Sequence, residues 1–189
     1  MPMPPLLRTI DWEEVLRSGT DFATWMKGAE SDANRDKMAA SLDAMTIDPE
    51  IAAGLKALKR QVNVVAIAED WCGDVVRHVP ALQAMAQETD KLRIRFVTRE
   101  QYLDVFTRFL TNGGEAIPKF IFISDKFVEC GNWGPMPEAC RKLIARGKGC
   151  GDVGAARKKV SAAYEADPAL KIVVRELYDL VQTASAESV

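Results

Sequence analysis

The chain has 189 residues, 48% of them hydrophobic, and its 25 Lys and Arg against 27 Asp and Glu leave a formal charge of −2. That is the size of one globular domain with an extension, able to bury a core without staples, and so small a net charge excludes long-range attraction to nucleic acid or anionic lipid. No apolar run reaches the roughly 18 residues of a membrane span and the start, Met1-Pro2-Met3-Pro4-Pro5-Leu6-Leu7-Arg8, has no signal-peptide core, so no membrane association is expected and the cytoplasm is the expected compartment.

Residues 9 to 28 carry Ile10, Trp12, Val15, Leu16, Phe22, Trp25 and Met26 at mostly helical spacings, with a break at Ser18-Gly19-Thr20, which predicts two short helices. A second helical stretch, Asp32 to about Leu58, is interrupted at Asp48-Pro49, where proline opens a new helix. The texture changes at Gln61: residues 62 to 68, Val-Asn-Val-Val-Ala-Ile-Ala, read as a short buried strand of the parallel kind. A helix over 74 to 88 follows, with Val75, Val79, Leu82 and Ala86 on one face and a kinking Pro80.

Residues 92 to 97 alternate as a half-exposed strand does, and Tyr102, Val105, Phe106, Phe109 and Leu110 mark a helix ending before Asn112-Gly113-Gly114. After Ile117-Pro118, two strands at 120 to 123 and 127 to 130 with a turn between them read as a hairpin. A helix from Met136 to Arg146, a flexible connector at Gly147-Lys148-Gly149-Cys150-Gly151, and helix again from Ala155 to Ala184, broken at Asp167-Pro168, complete the chain.

Four cysteines, at 72, 130, 140 and 150, are too few for a disulfide scaffold, and reduced thiols are expected. The even spacing of the last three lacks the close pairs of a zinc site, and the one histidine, His78, lies far upstream; no metal and no cofactor are expected. His78 reads as a solvated helix residue, and Arg157-Lys158-Lys159 as a solvated face.

The order βαβ, helix, antiparallel hairpin, helix resembles that of the thioredoxin superfamily, and local residues agree with it. Trp71-Cys72-Gly73 follows the first core strand and opens a helix, Pro80 stands eight residues on, Ile117-Pro118 precedes the hairpin, and Trp133-Gly134 falls at the end of the last strand. More narrowly, Ala68-Glu69-Asp70-Trp71-Cys72-Gly73-Asp74, Thr111-Asn112-Gly113-Gly114 and Trp133-Gly134-Pro135 resemble a group of bacterial thioredoxin-family proteins of about this size.

The resemblance implies an α/β thioredoxin-like fold, a central mixed sheet flanked by helices, over residues 61 to 146. Residues 1 to 60 would be an N-terminal helical extension, and residues 147 to 189 a C-terminal helical extension packed on the same domain, the two covering sheet edges or forming a dimer surface. It also implies a cis bond at Pro118 and an active-site glycine at Gly134. A groove would then run beside Cys72, built from Trp71, Gly73, Asp74, Ile117, Pro118, Trp133 and Gly134, with Trp133 reading equally as a core aromatic. A cysteine at a helix N-terminus meets free backbone N–H groups and the positive end of the dipole, which favour the nucleophilic thiolate.

Two departures stand out. Where the family has its second, resolving cysteine this chain has Val75, and where it has a buried acid six residues before the nucleophile this chain has Ala66. Glu69, Asp70 and Asp74 crowd the nucleophile instead, and carboxylates there would oppose the helix dipole. Cys130, four residues before Gly134, is about 13 Å away along a strand and so off the site; Cys140 and Cys150 fall in the last helix and the connector.

Two functions follow. In one, Cys72 is the catalytic residue of a monothiol that attacks a protein or peptide disulfide, or exchanges with a low-molecular-weight thiol such as glutathione, an external thiol completing the cycle. In the other, the groove holds a peptide or protein partner without catalysis.

Overall fold

The computed structural model describes residues 7–186. The first six residues and the last three, on which part of the compartment and extension expectations fell, lie outside the described residues.

Four helices come first: α1 (Trp12–Ser18), α2 (Phe22–Lys27), α3 (Asp32–Asp43) and α4 (Pro49–Lys56). Each begins at a side chain that accepts one of its free N–H groups. Asp11 receives Glu14, Asp21 receives Thr24, Ser31 receives Asn34, and Asp48, just before Pro49, receives Glu50. At the break between α1 and α2, Thr20 forms an antiparallel bridge with Phe96, so the first segment is tied to the sheet by backbone as well as by packing.

The central elements are β1 (Val62–Ile67), α5 (Gly73–Gln87), β2 (Leu92–Val97), a short α6 (Leu103–Phe106) continued by a 3-10 turn at Thr107–Phe109, β3 (Lys119–Ile123) and β4 (Glu129–Trp133). They form a mixed sheet in the order β2-β1-β3-β4, with β1 and β2 parallel and β3 antiparallel to both β1 and β4. Parallel neighbours need a crossover, and α5 supplies it. Every residue of β1 and β3 is buried, which is why both are apolar apart from Asn63 and Lys119, whereas β2, at the edge, alternates buried Leu92 and Ile94 with Arg93 and Arg95.

Three helices close the chain: α7 (Glu138–Cys150), α8 (Val153–Ala166) and α9 (Lys171–Ser185). α9 lays buried Val173, Val174, Leu177, Val181 and Ala184 against α5 and against β1, β3 and β4. This terminal helix therefore completes the main core, each fully buried aliphatic side chain contributing about 1.5–3 kcal/mol. No helix among the described residues is long and apolar enough to cross a membrane.

Three expectations are corrected. The stretch from Tyr102 forms only α6 and the 3-10 turn. The second hairpin strand starts at Glu129 and runs to Trp133, because Phe127 takes a left-handed φ of 59° and belongs to the turn, where the Ser124 hydroxyl accepts from the N–H groups of Lys126 and Val128. The glycine-rich connector is helical to Cys150. A Cβ on Gly147 would lie 2.5 Å from the Ala156 Cβ and 2.9 Å from the Asp152 carbonyl oxygen, so this glycine lets α7 and α8 approach; only Gly151, at φ 77°, turns the chain.

Candidate functional site

Between β1 and α5 the chain makes a tight turn in which the Cys72 N–H donates to the Glu69 carbonyl at 3.1 Å. Its acidic residues are engaged in holding the turn. Asp70, 6% exposed, accepts from the Ser31 N–H at 2.9 Å, and its own carbonyl receives the Asn34 amide. Glu69 accepts from the Arg99 N–H and from its guanidinium at 3.0 Å, and that guanidinium also sits 5.2 Å from the Trp71 ring centroid. The sequence placed Glu69 and Asp70 as charges opposing Cys72; instead they are fastened to α3 and to the end of β2.

Cys72 is the N-cap of α5, with extended φ and ψ, and is half-buried. Its Sγ donates to the Ile117 carbonyl at 3.5 Å. The Ile117–Pro118 peptide bond is cis, as is Gly134–Pro135. The two loops interlock: Gly134 has φ 120°, and a Cβ there would lie 2.0 Å from the Pro118 oxygen, a conformation and a clearance open only to glycine.

Beside the sulfur lies a cleft of about 320 Å³. Trp71, Cys72 and Asp74 form one wall, the loop from Thr111 to Ile117 a second, and Pro135, Met136, Arg141, Ile144 and Lys148 the third. Of the residues marked in the sequence, Trp71, Cys72, Asp74 and Ile117 meet in this cleft. Pro118 and Gly134 are buried behind it, and Gly73 lines a separate groove between the α3–α4 segment and the start of α9.

For Trp133 the structure selects the core reading over the groove wall. The residue is 2% exposed, stacks on Phe120 with centroids 5.4 Å apart, meets the His78 ring edge-on at 5.2 Å, and donates its indole N–H to Glu176 of α9 at 2.6 Å. Strand alternation turns it toward the helices, away from the cleft. His78, expected to be solvated, is a correction. It is fully buried, between Trp133 and Tyr164, with Nε2 3.3 Å from the Tyr164 hydroxyl, and burial together with the nearby Arg77 charge pulls its pKa down to about 3.

Tyr164, on α8, is a residue that the sequence reading missed. Its hydroxyl donates to Asp74 Oδ1 at 2.9 Å, the Arg77 guanidinium lies 4.3 Å from its ring centroid, and burial holds its ionisation well above the ordinary tyrosine value. Burial likewise raises the Asp74 carboxyl above the usual range.

Three cations were also missed. Lys119 is 3% exposed on β3, and its Nζ donates to the Gly134 carbonyl at 2.9 Å; the same oxygen receives Arg141 at 3.1 Å. Burial and the Arg141 charge lower Lys119 to about 8. A lysine inside an otherwise apolar strand, and Arg141, Ile144 and Lys148 at intervals that share a helix face, were the available signals.

No second thiol shares the first turn of α5, where Val75 is fully buried. Cys130 donates to the Val128 carbonyl in the turn before its own strand, and Cys140 is buried on α7, which pushes its thiol pKa up. Cys150 ends α7 and is exposed.

Two solved structures resemble the whole fold. One is a Pseudomonas aeruginosa protein of unknown function, with TM-score 0.72 and 16% identity over 92% of this chain and 98% of the other. The second is an HIV epitope scaffold, with TM-score 0.70 at the same identity and coverage. At that identity the likeness concerns the fold alone. No curated protein matches the chain. A family model described as thioredoxin matches residues 19–153, from the end of α1 into α8 and across every strand of the sheet; the chain belongs to that thioredoxin family.

Proposed function

We propose that this protein performs monothiol thiol–disulfide exchange at Cys72. The observation that carries the reading is the half-buried sulfur at the N-terminus of α5, on the wall of an open cleft and against the Ile117 carbonyl, with a buried valine three residues on. The Cys72 thiolate attacks one sulfur of a protein, peptide or glutathione disulfide; the Cys72–S bond forms, the substrate S–S bond breaks, and the other sulfur leaves as thiolate. A thiol from solution, as thiolate, then attacks the mixed disulfide and returns Cys72. The reducing thiol pool of a cytoplasm suits that second step.

Incubation with glutathione disulfide, followed by peptide mass spectrometry, tests the reading. The expected result is an adduct at Cys72 that reduced thiol removes and that Cys72→Ser lacks. Adducts confined to exposed Cys150 would overturn it. Trp71, half exposed over the cleft, favours a second reading, a module that holds a peptide or protein partner without turnover; a partner captured equally by wild type and Cys72→Ser would support that one.

A further inference from the structure

The Cys72 cleft holds two cations, Arg141 and Lys148, that form no ion pair with its two carboxylates, Asp74 and Glu115. Arg141 and Lys148 project from α7 into it, and Lys148 Nζ reaches across to within 3.9 Å of where a Cβ on Gly114 would sit. Lys119 stands behind Arg141, the two donating to one carbonyl oxygen. No ion pair among the described residues includes any of the three, although Lys142 of the same helix pairs with Glu138 and Arg99 pairs with Glu69 and Glu115. The cleft's own carboxylates are occupied: Glu115 lies 3.7 Å from Arg99, and Asp74 accepts from Tyr164.

Burying a lysine beside an arginine with only a carbonyl between them is unfavourable unless an anion completes the arrangement. The Gly134 oxygen can orient both donors, but it cannot neutralise them. Arg141 offers a planar fork suited to a carboxylate, and Lys148, exposed at the cleft mouth, adds a mobile charge that draws the same group in. Peptide amides or a neutral thiol would leave these charges uncompensated.

We infer that the Cys72 cleft selects thiols and disulfides that carry a carboxylate, which Arg141 and Lys148 receive while Lys119 reinforces the positive field from behind. This specificity rests on the exchange reading for its biological use, but the charge selection itself can be read without any disulfide.

The test compares alkylation of Cys72 by iodoacetate, which is anionic, and iodoacetamide, which is neutral, quantified at that residue by peptide mass spectrometry. The ratio of the two rates cancels the thiolate fraction. The ratio should be roughly tenfold higher in wild type than in Arg141→Gln/Lys148→Gln, and should fall as salt is added, while the ratio at Cys130 stays unchanged. Lys148→Gln alone, on an exposed helix position, should lower it roughly threefold and guards against a folding defect in the double variant. Equal ratios in wild type and both variants would overturn the inference. If the ratio behaves as expected but Cys72 forms no mixed disulfide, the exchange reading fails and the carboxylate site stands; exchange with an unresponsive ratio is the converse.

Discussion

Gly134 packs so closely on the proline loop that a Cβ at its position would lie 2.0 Å from the Pro118 carbonyl oxygen. The end of β4 thus sets the position of the loop whose Ile117 carbonyl meets the Cys72 thiol, and it does so through the one residue type that tolerates both the contact and a φ of 120°. Gly134→Ala must move one loop or the other. The expected cost is at least about 2 kcal/mol in urea denaturation, with a changed alkylation rate at Cys72. A variant as stable and as reactive as wild type would show that the contact is not a constraint.

Trp133 and Glu176 provide a second test, one that separates core from cleft. The indole N–H donates to the carboxylate at 2.6 Å, and the same carboxylate accepts from the Glu138 N–H at the start of α7. Trp133→Phe keeps the stacking on Phe120 but removes one donor to a charged acceptor, and should cost about 1.5–3 kcal/mol. Because the ring does not reach the cleft, Cys72 alkylation should be unchanged. A large drop in that rate would restore Trp133 to the groove wall.

What was legible in the sequence is what local chemistry decides. The Ser18-Gly19-Thr20 break and the Asp48-Pro49 pair mark helix boundaries whatever surrounds them, and β1 and β3 are mostly apolar because both faces are covered. Trp71-Cys72-Gly73 and Ile117-Pro118 could likewise be placed from their neighbours.

The fates of Trp133 and His78 were not legible, since each is settled by a distant partner: Glu176 lies 43 residues beyond the first and Tyr164 86 beyond the second. A spacing signal for His78 did exist, because positions 75, 78, 79 and 82 share one helix face. The buried aromatic neighbours that accommodate a neutral imidazole lie on other elements. The glycines at 147 and 149 misled in another way. Composition alone cannot distinguish a flexible linker from a close crossing of two helices.

His78 gives stability a direction with pH. Its native pKa of about 3 lies below the ordinary 6.5, so between those values the unfolded chain binds a proton that the native state refuses. Stability is therefore greatest above pH 6.5 and is lost as pH falls toward 3. Asp74, whose carboxyl burial raises, works in the opposite sense, since acidification relieves a buried charge. His78 is wholly enclosed and should dominate above pH 5. Native stability from urea midpoints should drop by about 2 kcal/mol between pH 7.5 and 5, and His78→Gln, which does not titrate, should be nearly flat over that range. Parallel slopes for the two proteins would assign the effect elsewhere.

Val75 decides how much of a dithiol machine survives in this scaffold. It occupies the first turn of α5, three residues from Cys72, and its side chain is fully buried. Cysteine is smaller than valine and behaves as a small hydrophobe, so Val75→Cys should fold at a cost of about 1 kcal/mol. A sulfur on that turn is positioned to attack a mixed disulfide at Cys72, forming an internal bond and expelling the substrate thiolate, which makes release independent of an outside thiol. The expected gain is faster dithiothreitol-driven reduction of an insulin-type protein disulfide, at least about tenfold above wild type at low dithiothreitol and lost again in Cys72→Ser/Val75→Cys. If the variant folds and forms the 72–75 disulfide but reduces nothing, the missing resolving sulfur is not the main departure. The carboxylates and cations around the cleft would then be what separates this protein from a dithiol reductase.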